Sequence, residues 1–321
     1  MIFVSHCTFS INAQGTNSTA YFGAFGVSLF IALSGFLTVY NHYETDDLSV
    51  KKQITKTIKK VYPLHLLTFL IAIPFSIKEL IKPSINAWIK FFINLSLIQS
   101  WIPKSSVYFS YNAVSWYLST YLFLMLVSPF VVKYLKKINT SFIVGLLLSI
   151  LSIQFALVTL SGDYSWAHWI IYICPITRAL DFVLGGGIAI LIKRMNIQKR
   201  LCYLLLFSGV IVAIVLLLIT TKNVVGNAFL AVVWLLPTYA IIIGLFGTEQ
   251  EPISRVIFQN KYVLFLGAIS LELFLVHQLV IRYVIAFARR IDVMSSFVYL
   301  IAFIITILTA KLLYNIKTWR I

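Results

Sequence analysis

A histidine near the start of the chain is the residue whose type and surroundings point most directly to chemistry. His6 lies in the apolar segment MIFVSHCTFS, ahead of a second apolar segment, GVSLFIALSGFLTVY. A titratable imidazole inside a membrane span costs free energy, so it is expected to have a partner or a task. It could pack against another helix through a hydrogen bond. It could also act as a general base that takes the proton of an acceptor hydroxyl, because imidazole titrates near neutral pH.

Two later apolar segments also carry ionisable residues. Arg178 and Asp181 are three residues apart and therefore share a helix face. Because a lone charge at mid-membrane costs about 2.5–3.5 kcal/mol, we expect them to form an ion pair, either structural or lining a polar cavity. Glu272 and His277 are five residues apart, which separates them by about 140° on a helix. They therefore cannot line one narrow stripe, and His277 could be structural or functional.

The elements that must position these residues are membrane helices. The chain has 321 residues, of which 60% are hydrophobic and 11% are charged, whereas soluble domains have about 25% charged residues. Apolar runs of about 18 to 25 residues, each long enough to cross a bilayer, recur along the sequence. We predict an all-α integral membrane protein, a single domain over 1–321 with about ten transmembrane helices. The predicted spans lie near 1–12, 22–42, 61–78, 114–132, 141–160, 169–192, 201–220, 226–247, 262–287 and 295–315.

The charge pattern predicts orientation rather than nucleic-acid binding. The net charge is +16, but the lysines and arginines cluster in short connections between apolar runs. By the positive-inside rule, this asymmetry places both termini in the cytoplasm. Three scattered cysteines form no metal-ligand pattern, so no metal site is predicted. The stretch 84–101 is amphipathic and could lie on the membrane surface or be re-entrant.

Several separated segments resemble, in order, the multipass acyltransferase-3 family of membrane O-acyltransferases. The family has a histidine in its first helix, a GVDLFFVLSGFL signature, a basic stretch ending in Arg-Ile-Tyr-Pro, a Trp-Ser-Leu segment and a late Gly-x-x-Ser-Tyr-x-x-Tyr-Leu-x-His element. The matching segments here are VSHC, GVSLFIALSGFL, KTIKKVYPLH, SWYLSTYLFLMLVSP and GAISLELFLVHQLVI.

Three features of the sequence depart from the family pattern. Ser28 replaces the aspartate of the GVDLFF element, and Tyr121 replaces an acid expected after Trp116. The usual Arg-Gly pair upstream of the histidine is absent from this chain. Only five residues precede His6, too few for a full crossing, and we expect the first helix to be truncated.

The resemblance implies roles for particular residues. It implies that His6 is the catalytic base, and that acetyl-CoA is the acyl donor, with no bound cofactor. Three lysines in KTIKKVYPLH would attract the phosphates of acetyl-CoA, although they could equally be a cytoplasmic anchor. Candidate cavity or supporting residues are Ser34, Ser115, Trp116, Arg178, Asp181, Glu272 and His277, and the candidate acyl-CoA-binding residues are Lys56, Lys59 and Lys60.

The predicted function is the transfer of acetyl from cytoplasmic acetyl-CoA to a hydroxyl of a glycan or lipid-linked sugar in the cell envelope. The protein would reside in the bacterial cytoplasmic membrane. An alternative route is transient acylation of the imidazole. Alternative functions are a multipass transporter or flippase without acyl chemistry, because intramembrane ionisable residues also serve transport, and an inactive truncated relative.

Overall fold

The computed structural model describes residues 2–11, 20–45, 47–81, 84–161, 166–195, 198–222, 235–247, 256, 259–293 and 296–318. These residues are helical apart from short connections and contain no strand. The helices are α1 (Ile2–Ile11), α2 (Ala20–Asn41), α3 (Val50–Ala72), α4 (Ile77–Ile81), α5 (Ile85–Leu95), α6 (Ser105–Tyr108), α7 (Trp116–Lys137), α8 (Thr140–Ser161), α9 (Pro175–Arg194), α10 (Lys199–Lys222), α11 (Leu235–Gly247), α12 (Lys261–Ala268), α13 (Ser270–Arg290) and α14 (Ser296–Thr318).

Seven helical segments in the described ranges are long and apolar enough to cross a membrane. The prediction of an all-helical chain with several helices able to cross a membrane is therefore confirmed for the described residues, whereas the count of ten spans and the orientation of the termini stay predictions. A shorter apolar helix covers Gly26–Asn41, within the predicted span 22–42, and the predicted span 226–247 lies partly outside the described residues. The seven segments are Val50–Ile81, Ala113–Lys137, Thr140–Leu160, Pro175–Arg194, Lys199–Leu216, Ser270–Arg290 and Phe297–Ile316.

Helix α3 begins eleven residues before the predicted start of its span at 61, because the basic stretch is itself helical. The Ser49 side chain caps the helix by accepting a hydrogen bond from the Lys52 backbone N–H at 3.2 Å. A serine cap satisfies one of the free N–H groups of the first turn, and lysine is a good helix former. The basic residues therefore lie on the first turns of a continuous helix.

The amphipathic stretch 84–101 forms α5 followed by a short 3-10 turn at Gln99–Trp101. Ser84 caps α5, and one face of the helix, including Phe92, is exposed. The turn packs against α7 through two contacts: Gln99 Nε2 donates to Ser115 Oγ at 3.0 Å, and the Ser100 and Ser119 hydroxyls lie 2.6 Å apart. This segment therefore covers the beginning of α7.

Helices α2 and α9 share the most extensive contact in the described structure. Their backbones approach closely at two glycines. A Cβ placed on Gly35 would lie 1.9 Å from the Phe182 carbonyl oxygen, and one on Gly185 would lie 2.0 Å from the Ala32 carbonyl oxygen. Small residues at such crossings let membrane helices pack backbone to backbone. Gly35 of the SGFL sequence and Gly185 of the GGG sequence are therefore parts of one helix contact.

Candidate active site

His6 lies where α1 meets α2 and α13. Helix α1 lies directly on α2, since Cγ1 of Ile2 would be 2.7 Å from a Cβ placed on Gly26. On the other side, the His6 ring contacts the His277 ring, with centroids 5.0 Å apart and planes inclined at 58°. Gln278 Nε2 lies 3.4 Å from His6 Nδ1. Two of the predicted site residues, 271 positions apart in the sequence, are thus brought together.

His277 is held by the backbone of its own helix. Its Nδ1 lies 2.7 Å from the Phe274 carbonyl oxygen and 3.2 Å from that of Leu273. A carbonyl oxygen only accepts hydrogen bonds, so Nδ1 carries the proton and donates it. The ring is buried, with 3% of the residue exposed. In its neutral form this imidazole therefore presents a lone pair at Nε2.

A row of aromatic rings connects the histidine pair to Trp116. The Phe274 ring lies 5.9 Å from His277 and 5.0 Å from the Tyr117 ring, which lies 6.4 Å from Trp116. Trp116 also packs against Tyr172 at 5.0 Å. With 4% of its surface exposed, Trp116 is a core residue in this structure, and it has little free face for an anchoring role or for stacking on a sugar ring.

The two candidate serines have local hydrogen-bond partners. Ser115 accepts the bond from Gln99, and Ser34 donates to the Phe30 carbonyl at 2.7 Å within α2. Ser34 thus satisfies its donor inside its own helix, and its hydroxyl also forms a hydrogen bond with the Tyr117 side chain. Both serines therefore have hydrogen-bond partners within the protein.

Arg178 and Asp181 form the expected ion pair. Arg178 Nη1 lies 2.9 Å from Asp181 Oδ2, and both residues are buried. Arg178 also donates to Ser28 Oγ at 3.2 Å and to the Ile171 carbonyl, while Gln154 donates to Asp181. The pair thus connects α9 to α2, α8 and the turn before α9. The partners of the Arg178 Nη atoms and of Asp181 come from the protein itself, whereas Arg178 Nε is buried without a hydrogen-bond partner among the described residues.

Removing one partner of this pair is expected to destabilise the protein strongly. Replacing Arg178 with methionine leaves the Asp181 charge buried and unpaired, which typically costs about 3–5 kcal/mol. The double variant Arg178→Met/Asp181→Leu removes both charges and should recover most of that loss. The measurement is thermal unfolding of the detergent-purified proteins. A single variant as stable as the double variant would contradict the pairing.

The three candidate lysines differ from the other candidate residues in being exposed. Lys56, Lys59 and Lys60 are all exposed on α3. Nearby, Lys52 forms an exposed ion pair with Asp47 at 3.0 Å. The hydrogen bond from Lys52, together with its charge, lowers the pKa of the Asp47 carboxyl. Lys52 is therefore already paired with an acidic side chain.

Glu272 is buried in the first turn of α13. A carboxylate is favoured at a helix N-terminus, where the backbone N–H groups of the first turn have no partner within the helix. Gln278, Tyr117 and Phe274 were not among the residues predicted from the sequence. The pair of adjacent polar residues at 277–278 inside an apolar run was a signal that could have identified Gln278.

Comparison with known proteins assigns the chain to a family. A family model described as an acyltransferase domain, Acyl_transf_3, matches residues 1–315. The chain belongs to this acyltransferase family. It is also 29% identical over 277 residues to acyltransferase MdmB of Streptomyces mycarofaciens, a match that covers 81% of this chain and 69% of the relative. No solved structure matches.

The contacts of Ser28 explain one departure of this chain from the family's GVDLFF signature. Ser28 stands where the family signature has an aspartate, and here it accepts a hydrogen bond from Arg178. The negative charge that a buried arginine needs is supplied instead by Asp181, one turn along the same helix. With Ser28 at this position, the two Nη atoms of Arg178 have partners, while its buried Nε has no hydrogen-bond partner among the described residues.

Proposed function

We propose that this chain is a membrane O-acetyltransferase that transfers acetyl from acetyl-CoA to a hydroxyl of a cell-envelope glycan or lipid-linked sugar. The observation that carries the proposal is the imidazole of His6 at a junction of three helices in an acyltransferase-family chain. Among the described residues, no cluster of three or more histidine, cysteine or acidic side chains could hold a metal ion. The imidazole pair is the group in this core best suited to proton transfer.

In the proposed reaction, His6 takes the proton of the acceptor hydroxyl as its oxygen attacks the thioester carbonyl. The new C–O bond forms, the C–S bond breaks, and the CoA thiolate receives the proton from the imidazolium. The products are an acetyl ester and free CoA, and His6 returns to its neutral form. Such proton transfer by a positioned imidazole contributes about 10²–10⁴-fold to a rate.

The proposed topology places both termini and the start of α3 on the cytoplasmic side of the bacterial membrane, in accordance with the positive-inside rule. Lys56, Lys59 and Lys60 would then attract the phosphates of the donor from the compartment in which acetyl-CoA occurs. Lysine acts on phosphate as a mobile point charge, so its effect is on donor affinity and association rate.

Neutralising two of these lysines is expected to weaken donor binding without slowing the chemical step. Exposed charge pairs contribute about 0.2–1 kcal/mol each, so Lys56→Gln/Lys59→Gln should raise KM for acetyl-CoA by roughly two- to thirtyfold. The effect should shrink as salt is added. The matched control is Lys133→Gln/Lys137→Gln, two exposed lysines on α7. Equal KM increases in both variants would show that net charge alone acts.

The test of the proposed function is transfer of radiolabelled acetyl from acetyl-CoA in membranes that contain the protein. Label that enters the glycan fraction and is released by mild base identifies an O-ester, because amides resist such treatment. Membranes without the protein provide the background. Absence of label above this background, with the protein inserted and folded, would overturn the proposal.

A further inference from the structure

One ring nitrogen of His277 has no hydrogen-bond partner in the described part of the protein. Nδ1 donates to the Phe274 and Leu273 carbonyls, so Nε2 of the neutral ring is an acceptor. This Nε2 is buried without a partner. Most buried polar groups in proteins are paired, and an unpaired one calls for a specific explanation.

The surroundings of His277 supply that explanation. The His6 ring is in direct contact, with centroids 5.0 Å apart. The next residue along α13, Gln278, reaches the His6 Nδ1 atom. Two consecutive polar side chains of an otherwise apolar stretch thus contact the same imidazole. When His6 is positively charged, both of its ring nitrogens are donors, and each needs an acceptor. The unused Nε2 of His277 lies beside this ring and can serve as one of these acceptors.

We propose that His277 is a positioning residue that accepts, at Nε2, a hydrogen bond from protonated His6 during acyl transfer. This inference rests on the proposed function. When the acceptor hydroxyl loses its proton to His6, the imidazolium gains a second N–H, and His277 orients and stabilises it. His277 stays neutral throughout, because the proton leaves His6 for the CoA thiolate once the C–S bond breaks.

Two isosteric substitutions separate this role from packing. The amide of glutamine reaches the position of Nε2, whereas that of asparagine reaches the position of Nδ1. His277→Asn keeps the donor to the Phe274 carbonyl and removes the Nε2 acceptor, so we expect kcat to fall about 10- to 100-fold with KM for acetyl-CoA unchanged. His277→Gln should retain most of the wild-type kcat. The opposite order of the two variants would overturn the proposal in favour of packing through Nδ1.

A second experiment, in the His6→Ala variant, tests whether His277 acts through His6. If His277 acts through His6, then His277→Asn should have no further effect on the residual rate of His6→Ala, because residues that act as a unit are non-additive. A further loss of the same size would contradict the inference. This comparison uses rates per folded protein, with folding checked by gel filtration in detergent.

His65 offers a matched control. It is also buried, with Nε2 3.1 Å from the Asn94 carbonyl and Nδ1 without a partner, but its ring neighbours are Tyr62 and Phe69. His65→Asn and His65→Gln should change kcat by less than about twofold, well below the effect of a lost catalytic contact.

If the wild-type protein transferred no labelled acetyl group, the proposed function itself would be refuted. A labelled wild type with unchanged His277→Asn would refute only the role of His277.

Discussion

His6→Ala is expected to lower the rate of acetyl transfer by about 10²–10⁴-fold, the usual contribution of a positioned general base. The loss should fall on kcat, because proton abstraction stabilises the transition state and not the bound donor. KM for acetyl-CoA should stay near its wild-type value. The measurement is the initial rate of base-labile label in membranes with equal amounts of folded protein.

His42 provides the control for this experiment. It is a half-buried histidine at the end of α2, and its Nδ1 lies 2.9 Å from the Thr38 carbonyl. Replacing it with alanine removes an imidazole of the same type away from the histidine pair and should leave the rate within about twofold of wild type. If the His6 and His42 variants transfer label equally well, His6 is not the base, although the acyltransferase itself would stand.

The interactions that follow from local spacing were predictable from the sequence. Arg178 and Asp181 are one helical turn apart in an apolar run, and neither can be buried alone, so pairing was the expected solution. The structure confirms this pair at 2.9 Å. Their further contacts with Ser28 and Gln154 come from other helices, and no periodicity in the sequence carries that information.

The contact between His6 and His277 could not be derived from spacing. Each residue was a candidate by its type, but their separation in sequence says nothing about which faces of α1 and α13 meet. The His6 contacts depend on how α1 lies against α2 and on Gln278 following His277. The sequence therefore predicted the residues and not the pairing.

Trp116 shows how a connection can change the environment of a predicted residue. A tryptophan at the beginning of a span commonly lies at the membrane interface. Instead, the 3-10 turn at Gln99–Trp101 bonds to Ser115 and Ser119, and Tyr172 packs on the ring from the other side. The burial of Trp116 arises from these long-range contacts, which hydropathy does not encode.

Gly185→Ala and Gly35→Ala are each expected to disrupt the fold, with a loss of about 3 kcal/mol or more in the free energy of unfolding. The added methyl group would lie 2.0 Å from the Ala32 carbonyl oxygen or 1.9 Å from the Phe182 carbonyl oxygen. Backbone atoms cannot rotate away, so α2 and α9 would have to separate. Their separation would also stretch the bond from Arg178 to Ser28.

Other glycines of the same chain provide controls for this prediction. Among the described residues, no atom beyond the glycine's own helix backbone and chain neighbours lies within 4 Å of a Cβ placed on Gly145 or Gly267. Alanine there should leave the unfolding temperature unchanged or slightly raised, since alanine favours helix. At Gly187 the methyl group would meet Cδ2 of Leu147 at 2.6 Å, a side-chain end that can rotate, and we expect an intermediate loss. In detergent, the unfolding temperature should therefore be highest for the variants whose methyl group enters open space, lower for the variant that meets a side chain, and lowest for the two that meet backbone. If all of these variants unfolded at the same temperature, the stability of the protein would not depend on the close approach of α2 and α9. The hydrogen bond from Arg178 to Ser28 would then have to hold α2 and α9 together without that close approach.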